Sequence, residues 1–377
     1  MKEAKKLYQQ GLLKFSQGDF PHGIKDFIAA SSQDYAPASK EIGLCYLHGI
    51  GLSQNITKAV KYFKKSNKNP ESQYELAKLY YFGYGLKRDF KKSQKYLIKS
   101  VKKNFSPAIN LMALAYQLKN KTKKCQNLLY HNFILKDLFA IHLNNKGLLN
   151  KKSNQLRFIS KFKWPDKFQK QLTEAINFKP DIFSISNLLS AIECEYIKFI
   201  ASPYMRESMT VDPITGNHVK DEVRTSFSAS IDWLAEDPVI NLIIKKCTRQ
   251  FQVTQDQSEV MHVLHYSVGE EYKPHYDFFG GADGMHNFNH KMQRIKTICL
   301  YLNNVEQGGE TSFPRLKKSV IPEKGKVVFF ENIDFQTDEP YLESLHAGQP
   351  VLKGEKWLAT LWIRPENTNR GPTYESI

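Results

Sequence analysis

The spacing of apolar positions changes near the middle of the chain. From about residue 3 to 140 it is helical: Ile42, Tyr46 and Leu47, then Ala59, Tyr62 and Phe63, recur three or four apart between charged residues. From about Ile182 the texture becomes short runs rich in Val, Ile, Phe and Tyr, bounded by Gly and Pro, as strands are. Residues 260–266, 295–302, 326–330 and 357–363 are expected strands, and 190–201 and 238–251 expected helices. Strands that dominate the C-terminal part, with helices ahead of them, predict a β-sandwich or jelly roll flanked by helices. The fold class is therefore multidomain α plus β. Residues 144–181 are Asn-, Lys- and Phe-rich and punctuated by Trp164-Pro165-Asp166 and Lys179-Pro180-Asp181. They are expected to form a linker or adaptor, with one helix around 167–178.

The front half repeats itself. Gly49-Ile50-Gly51-Leu52 returns as Gly83-Tyr84-Gly85-Leu86 after 34 residues, and Tyr46 and Tyr80, like Ala38 and Ser72, share that spacing. A third copy begins at Pro107-Ala108, with Ala113 and Tyr116 lying 36 residues after Ala77 and Tyr80, and an earlier one starts near Ala4. A period of 34–36 residues with a glycine turn belongs to the tetratricopeptide class. The Tyr-x-x-Gly-x-Gly-Leu turn followed by Lys-Ala-x-x-Tyr-Phe resembles the Sel-like subclass. About four units are expected over 1–143, the third carrying Gln117-Leu118-Lys119-Asn120 in place of the glycine turn. Arrays of this kind bind proteins on an extended surface and carry no chemistry of their own. A plain helical bundle is the alternative.

Length and charge refine this picture. The 377 residues allow two or three domains. No apolar run approaches the roughly 18 residues of a spanning helix, so no membrane insertion is expected. Met1-Lys2-Glu3-Ala4-Lys5-Lys6 offers no apolar signal region. Cys45, Cys125, Cys194, Cys247 and Cys299 form no C-x-x-C pair, which points to a reducing, cytoplasmic setting rather than a disulfide framework. Residues 1–150 hold 26 basic and 9 acidic side chains, whereas 151–377 hold 28 and 29. Such a split marks two modules with different partners. The basic half is open to an acidic protein, nucleic acid or an anionic membrane, or is simply a solubilising face.

Chemistry concentrates in the back half. Pro274 makes His275-Tyr276-Asp277 extended, and a period of two places His275 and Asp277 on one face, within reach of one metal. His346, about seventy residues on, is a third candidate ligand. Two histidines and a carboxylate form the facial triad of non-haem Fe(II) oxygenases. On residue types alone His262, His265, His286 and His290 remain rivals, and His-x-Asp is a weak signal. Lys356, ten residues after His346, enters the apolar strand Trp357-Leu358-Ala359-Thr360-Leu361-Trp362-Ile363. A lysine there either snorkels to solvent or, if buried, meets an anion.

Tyr266-Ser267-Val268-Gly269-Glu270-Glu271-Tyr272-Lys273-Pro274-His275-Tyr276-Asp277 resembles the signature of the prolyl 4-hydroxylase family of Fe(II)/2-oxoglutarate dioxygenases. So do Gln293-Arg294-Ile295-Lys296-Thr297, Gly308-Gly309-Glu310-Thr311-Ser312-Phe313-Pro314, and His346 with Lys356-Trp357. Val223-Arg224-Thr225-Ser226 also fits, and the blocks run in order over about 183–365. The resemblance implies a double-stranded β-helix over 182–366, followed by a tail at 367–377. It implies Fe(II) on His275, Asp277 and His346, and 2-oxoglutarate held by Lys356 with Thr297, Tyr266 and Tyr301. Dioxygen is the implied co-substrate and ascorbate the reductant, and Glu259, Tyr272, Arg294 and Trp362 line a peptide groove. Residues 278–291 have the look of a lid. A protein or peptide substrate, acidic in character and docked on the repeats, is the expected partner. Another side chain or a small molecule as substrate, and a non-catalytic scaffold, are the alternatives. A nucleic-acid substrate is disfavoured, because the positive charge sits off the catalytic half.

Overall fold

The computed structural model describes residues 2–150, 156–211, 218–220, 225–279, 293–334 and 336–372. The chain divides into two compact units, Met1–Asp166 and Lys167–Ile377. The first is helical: α1 (Lys2–Ser16), α2 (Phe20–Ser32), α3 (Ala36–His48), α4 (Ile56–Lys65), α5 (Pro70–Phe82), α6 (Phe90–Val101), α7 (Ser106–Gln117), α8 (Thr122–Ile134) and α9 (Leu138–Asn145). Consecutive helices pair as four hairpins, and α9 follows the last.

The repeated residues explain the repeated geometry. Asn55 and Asp89 cap α4 and α6 through their side chains, accepting from Lys58 N and Lys92 N. Gly49 and Gly83 end α3 and α5 in the left-handed conformation, at φ 71° and 85°. The second glycine of each turn allows close approach: a Cβ on Gly85 would stand 2.9 Å from the backbone of Ile56. In the third unit, where the glycines are lost, Asn120 takes the positive φ instead.

The stretch expected as a linker is built into both units. Trp164 Nε1 donates to Ser93 Oγ at 3.0 Å and its ring meets Tyr81 edge-on. Phe158 and Phe162 pack edge-on against Tyr116. The first half of the stretch therefore covers the array with three aromatic rings. The second half is extended. The helix expected around 167–178 does not form; Glu174–Phe178 is a strand instead. Its outer residues are exposed and its backbone is taken up by sheet pairing, which overrides a weak helical propensity.

The second unit contains α10 (Ala191–Ala201), α11 (Pro238–Gln250) and strands β1 (Glu174–Phe178), β2 (Asp181–Ile185), β3 (Arg206–Glu207), β4 (Met209–Val211), β5 (His218–Lys220), β6 (Phe227–Ile231), β7 (Met261–Tyr266), β8 (Tyr272–His275), β9 (Lys296–Tyr301), β10 (Gln307–Gly308), β11 (Thr311–Phe313), β12 (Lys318–Val320), β13 (Val327–Glu331), β14 (His346–Gly348), β15 (Val351–Lys353) and β16 (Lys356–Ile363). Eight strands form one sheet in the order β1-β2-β13-β9-β16-β7-β6-β3, and four form a second, β12-β11-β14-β8. All pairings in both sheets are antiparallel. The two sheets share one core: Leu264, Tyr266, Cys299, Tyr301 and Phe330 from the large sheet, and Phe313 and Val320 from the small one. This is the jelly-roll sandwich. On the large sheet's other face, Phe251, at the end of α11, stacks on Phe329 at 4.5 Å. No helix among the described residues is long and apolar enough to cross a membrane.

Candidate active site

Pro274 lacks an N–H, so its strand fits at a sheet edge, and β8 is the edge strand of the small sheet. Its neighbour is β14, in a register that sets His346 directly opposite His275. The two histidines, seventy-one positions apart in sequence, thereby become cross-strand partners with ring centroids 4.2 Å apart. Asp277 follows β8 and turns into the same space. One ligand atom from each of His275, Asp277 and His346 lies within 4.8 Å of the others, and this is the one such group of described residues.

The histidines are held in the tautomer that a metal needs. His275 Nδ1 donates to Lys273 O at 2.8 Å, and His346 Nδ1 donates to Ser344 O at 3.0 Å. With Nδ1 protonated, both Nε2 lone pairs point to the shared space, 3.8 and 3.6 Å from the Asp277 carboxylate. Tyr272 stacks flat on His275 at 3.5 Å, and Phe330 lies 4.7 Å from His346. Burial alone would raise the Asp277 carboxyl, but His346, His275, the Thr297 hydroxyl and Arg294 together hold it below the usual range.

A chain of hydrogen bonds stands behind Asp277. Thr297 Oγ1 donates to Asp277 Oδ2 at 2.6 Å, and Asn332 Nδ2 donates to Thr297 Oγ1 at 2.9 Å. An ionised carboxylate only accepts, so the single Thr297 proton points to Asp277 and its lone pairs must meet a donor. All three side chains are buried.

The cleft runs from this group to Lys356, lined by Tyr266, Tyr272, Thr311, Gly348, Leu358, Thr360 and Trp362 among others. Lys356 pairs with Tyr266 in register at the start of β16 and is 2% exposed, so it does not snorkel. Its Nζ lies 5.5 Å from the Tyr266 ring and 6.0 Å from that of Tyr301. Burial pulls its pKa down to about 8, against the opposing pull of Cys299 and Glu310. Among the described residues, no carboxylate forms an ion pair with it.

Two expected co-substrate contacts are arranged differently. Thr297 turns its hydroxyl to Asp277, and Tyr301, fully buried, donates to Thr311 Oγ1 at 2.7 Å. Neither lines the cleft, although Cys299, which lies between them on the same strand β9, does. Thr311, which carried no assignment from sequence, forms the wall in their place. Its block, Gly308-Gly309-Glu310-Thr311, was the available signal. Asn332, one residue past β13, had no signal at all.

Of the residues expected to line a groove, Glu259, Arg294 and Trp362 come together. Arg294 binds Glu259 through two hydrogen bonds of 2.8 and 3.0 Å and lies 3.7 Å over the Trp362 ring. Arg364, also missed, adds a bond of 2.6 Å to Glu259. Tyr272 stands apart from them, against His275. The rival histidines are engaged elsewhere: His265 with Glu355 at 2.9 Å, His262 with Ser230 at 3.1 Å. His286 and His290, nearly all of the expected lid, and Val223-Arg224 lie outside the described residues.

Comparison with known proteins completes the picture. The family model described as the 2OG-Fe(II) oxygenase superfamily matches residues 261–364, and that of the Sel1 repeat matches 36–69 and 70–105. The chain is 36% identical to Prolyl 4-hydroxylase 1 of Arabidopsis thaliana over 247 residues, 59% of this chain and 84% of that protein. It is 36% identical to Probable prolyl 4-hydroxylase 3 of the same plant over 216 residues, 51% and 72% of the two chains. Among solved structures, the viral collagen prolyl hydroxylase from Paramecium Bursaria Chlorella virus-1, in its 2OG complex, is 31% identical. That match covers 48% of this chain and 95% of that one, with a TM-score of 0.36.

Proposed function

The chain belongs to the prolyl 4-hydroxylase family of 2OG-Fe(II) oxygenases, and from that premise we propose that it hydroxylates proline in a protein substrate recruited through its repeats. The observation that carries the reading is one cleft with a three-residue ligand group at one end and a buried lysine at the other. The donor set fits Fe(II): two imidazoles with Nε2 turned to the shared space and one carboxylate leave positions for a bidentate co-substrate and dioxygen. His275, Asp277 and His346 would hold the metal. Lys356 would pair with the distal carboxylate of 2-oxoglutarate, with Thr311 and Tyr266 beside it. When bound, Fe(II) supplies the redox chemistry by which 2-oxoglutarate gives succinate and carbon dioxide while dioxygen delivers one atom to succinate and one to the substrate.

The chain's own residues bind, orient and keep the site dry. Ser344 O and Lys273 O fix the imidazoles, Thr297 and Asn332 fix the carboxylate, and Leu264 and Leu358 exclude water beside Lys356. Glu259, Arg294, Trp362 and Tyr272 would form the peptide groove. An acidic partner for the basic array, ascorbate as reductant and a cytoplasmic location belong to the same reading, the last supported by five buried thiols. The direct assay is succinate release with short proline peptides against the same peptides carrying alanine. Stimulation by both alike would refute proline as the target.

Asn332→Ala is expected to weaken Co(II) binding, read as a visible absorption titration, by about 10- to 100-fold, the range for groups that orient a metal ligand. The melting temperature in the same preparation separates this from unfolding. An unchanged Co(II) titration would remove Asn332 from the centre.

A chain beginning at Lys167 is expected to bind 2-oxoglutarate and turn over short proline peptides near the full-length rate. Every proposed site residue lies in Lys167–Ile377, and the aromatic residues ending at Trp164 pack within the other unit. Loss of 2-oxoglutarate binding, measured by calorimetry, would make the array a structural part of the oxygenase.

A further inference from the structure

The second helix of successive repeats carries lysine and no carboxylate. Lys58, Lys61, Lys64 and Lys65 lie on α4, and Lys91, Lys92, Lys95 and Lys99 on α6. Lys58, Lys61 and Lys65 are three and four residues apart, and Lys92, Lys95 and Lys99 repeat that pattern 34 positions later. Each set therefore follows one helix face. All of these lysines are exposed.

The lysines of α4 and α6 are set on tyrosines with the same period of 34, and a lysine of the next unit is set on a tyrosine likewise. Lys58 Nζ is 5.3 Å from the Tyr46 ring, Lys92 Nζ 5.4 Å from Tyr80, and Lys124 Nζ 5.1 Å from Tyr116. Lys64 Nζ, from the preceding repeat, is also 6.0 Å from Tyr80, so ammonium groups of two repeats converge on one ring. A second tyrosine stacks on each of the first two: Tyr62 on Tyr46 at 5.8 Å and Tyr96 on Tyr80 at 5.7 Å. Lys99 lies 5.4 Å over Tyr96. Convergent like charges cost stability. Only Asp89 and Asp34 among the described residues give partial relief, to Lys92 and Lys65. Among the described residues, Lys58, Lys61, Lys64, Lys95 and Lys99 have no carboxylate in ion-pair range.

We propose that this tyrosine-backed lysine ladder, across α4, α5 and α6, is the docking surface for an Asp- and Glu-rich segment of the protein substrate. The proposal rests on the reading that the array recruits substrate. Charge complementarity selects an anionic partner, and the tyrosines select protein over nucleic acid. Tyr46, Tyr80 and Tyr96 each already carry a neighbouring ring and an ammonium group, which disfavours their use as a stacking platform for bases. The repeated rung also separates the ladder from a merely solvated face, which needs no fixed placement of its charges.

The test uses the full chain, fluorescence anisotropy and a labelled poly-glutamate peptide as the probe. The triple variant Lys61→Gln, Lys95→Gln, Lys99→Gln is compared with Lys2→Gln, Lys5→Gln, Lys6→Gln on α1, which removes equal charge elsewhere. The ladder variant is expected to bind about tenfold more weakly and the α1 variant within about twofold of the parent. Equal losses in the two variants would reduce the surface to diffuse charge and overturn the proposal. Tighter binding of single-stranded oligothymidylate than of poly-glutamate would overturn it in favour of nucleic acid. A proline peptide with a poly-glutamate tail should show a KM about tenfold below that of the untailed peptide, and lose this advantage only in the ladder variant. If neither peptide is hydroxylated by the parent chain, the hydroxylase reading fails, while the anisotropy result still decides the docking surface.

Discussion

His346→Ala is expected to abolish 2-oxoglutarate turnover in a domain that remains folded. In the proposed centre His346 would supply one of three donor atoms, and its opposite number His275 cannot close the gap, because the register of β8 against β14 fixes both backbones. The loss should exceed the roughly 100-fold typical of changes one shell further out. His346 packs against Phe330 and Phe313; its removal leaves a small cavity costing about 1–3 kcal/mol. The checks are metal content after gel filtration, succinate release and the thermal melt. His265→Ala removes a histidine paired with Glu355 and should keep metal and activity. Full activity in the His346 variant with stoichiometric iron would refute the ligand assignment.

Lys356→Ala is expected to raise the KM for 2-oxoglutarate by about 10- to 100-fold, with metal affinity nearly unchanged. A buried charge-assisted hydrogen bond to a carboxylate contributes about 1.5–3 kcal/mol. The lysine stands against Tyr266 and Tyr301 rather than against the ligand group. A pH dependence follows with a definite sign. The ligand-free pKa is lowered to about 8 by burial, and a bound carboxylate raises it. Below pH 8 the ammonium is already charged and the KM is flat. Above it, binding must take up a proton, and the KM climbs about tenfold per pH unit. Lys356→Met should erase that slope. Folding stability of the ligand-free chain rises over the same window, because there the unfolded lysine, with its higher pKa, binds more protons than the folded one. A flat KM up to pH 10 in the unaltered protein would contradict the role of Lys356.

Local pattern revealed what local physics decides. The helix hairpins were legible because Gly49 and Gly83 sit at left-handed caps and the tyrosines repeat with them. The strands around the cleft were legible through period two and Val, Ile and Phe content. His275 and Asp277 were readable as a pair from a two-residue spacing, but His346 joins them through a cross-strand register that no local spacing encodes. Family resemblance supplied that link. It did not foretell that Thr297 faces Asp277 while Thr311 faces the cleft, since parity tells which side of a strand a residue is on and not which neighbour claims its hydroxyl. Residues 144–181 misled for a related reason. Their rings and backbone are committed to distant partners, Tyr116, Tyr81 and strand β2, and composition alone is blind to those.

The central claim is that this cleft places oxygen from dioxygen on proline at the expense of 2-oxoglutarate. The direct measurement supplies the full chain with Fe(II), 2-oxoglutarate, ascorbate, a proline peptide and isotopically heavy dioxygen, and reads the peptide by tandem mass spectrometry. The account predicts one heavy oxygen atom on proline, one succinate released per hydroxylation, and neither in the His346→Ala protein. Proline unmodified while the parent chain holds iron and consumes 2-oxoglutarate, or a product oxygen that comes from water, would contradict it.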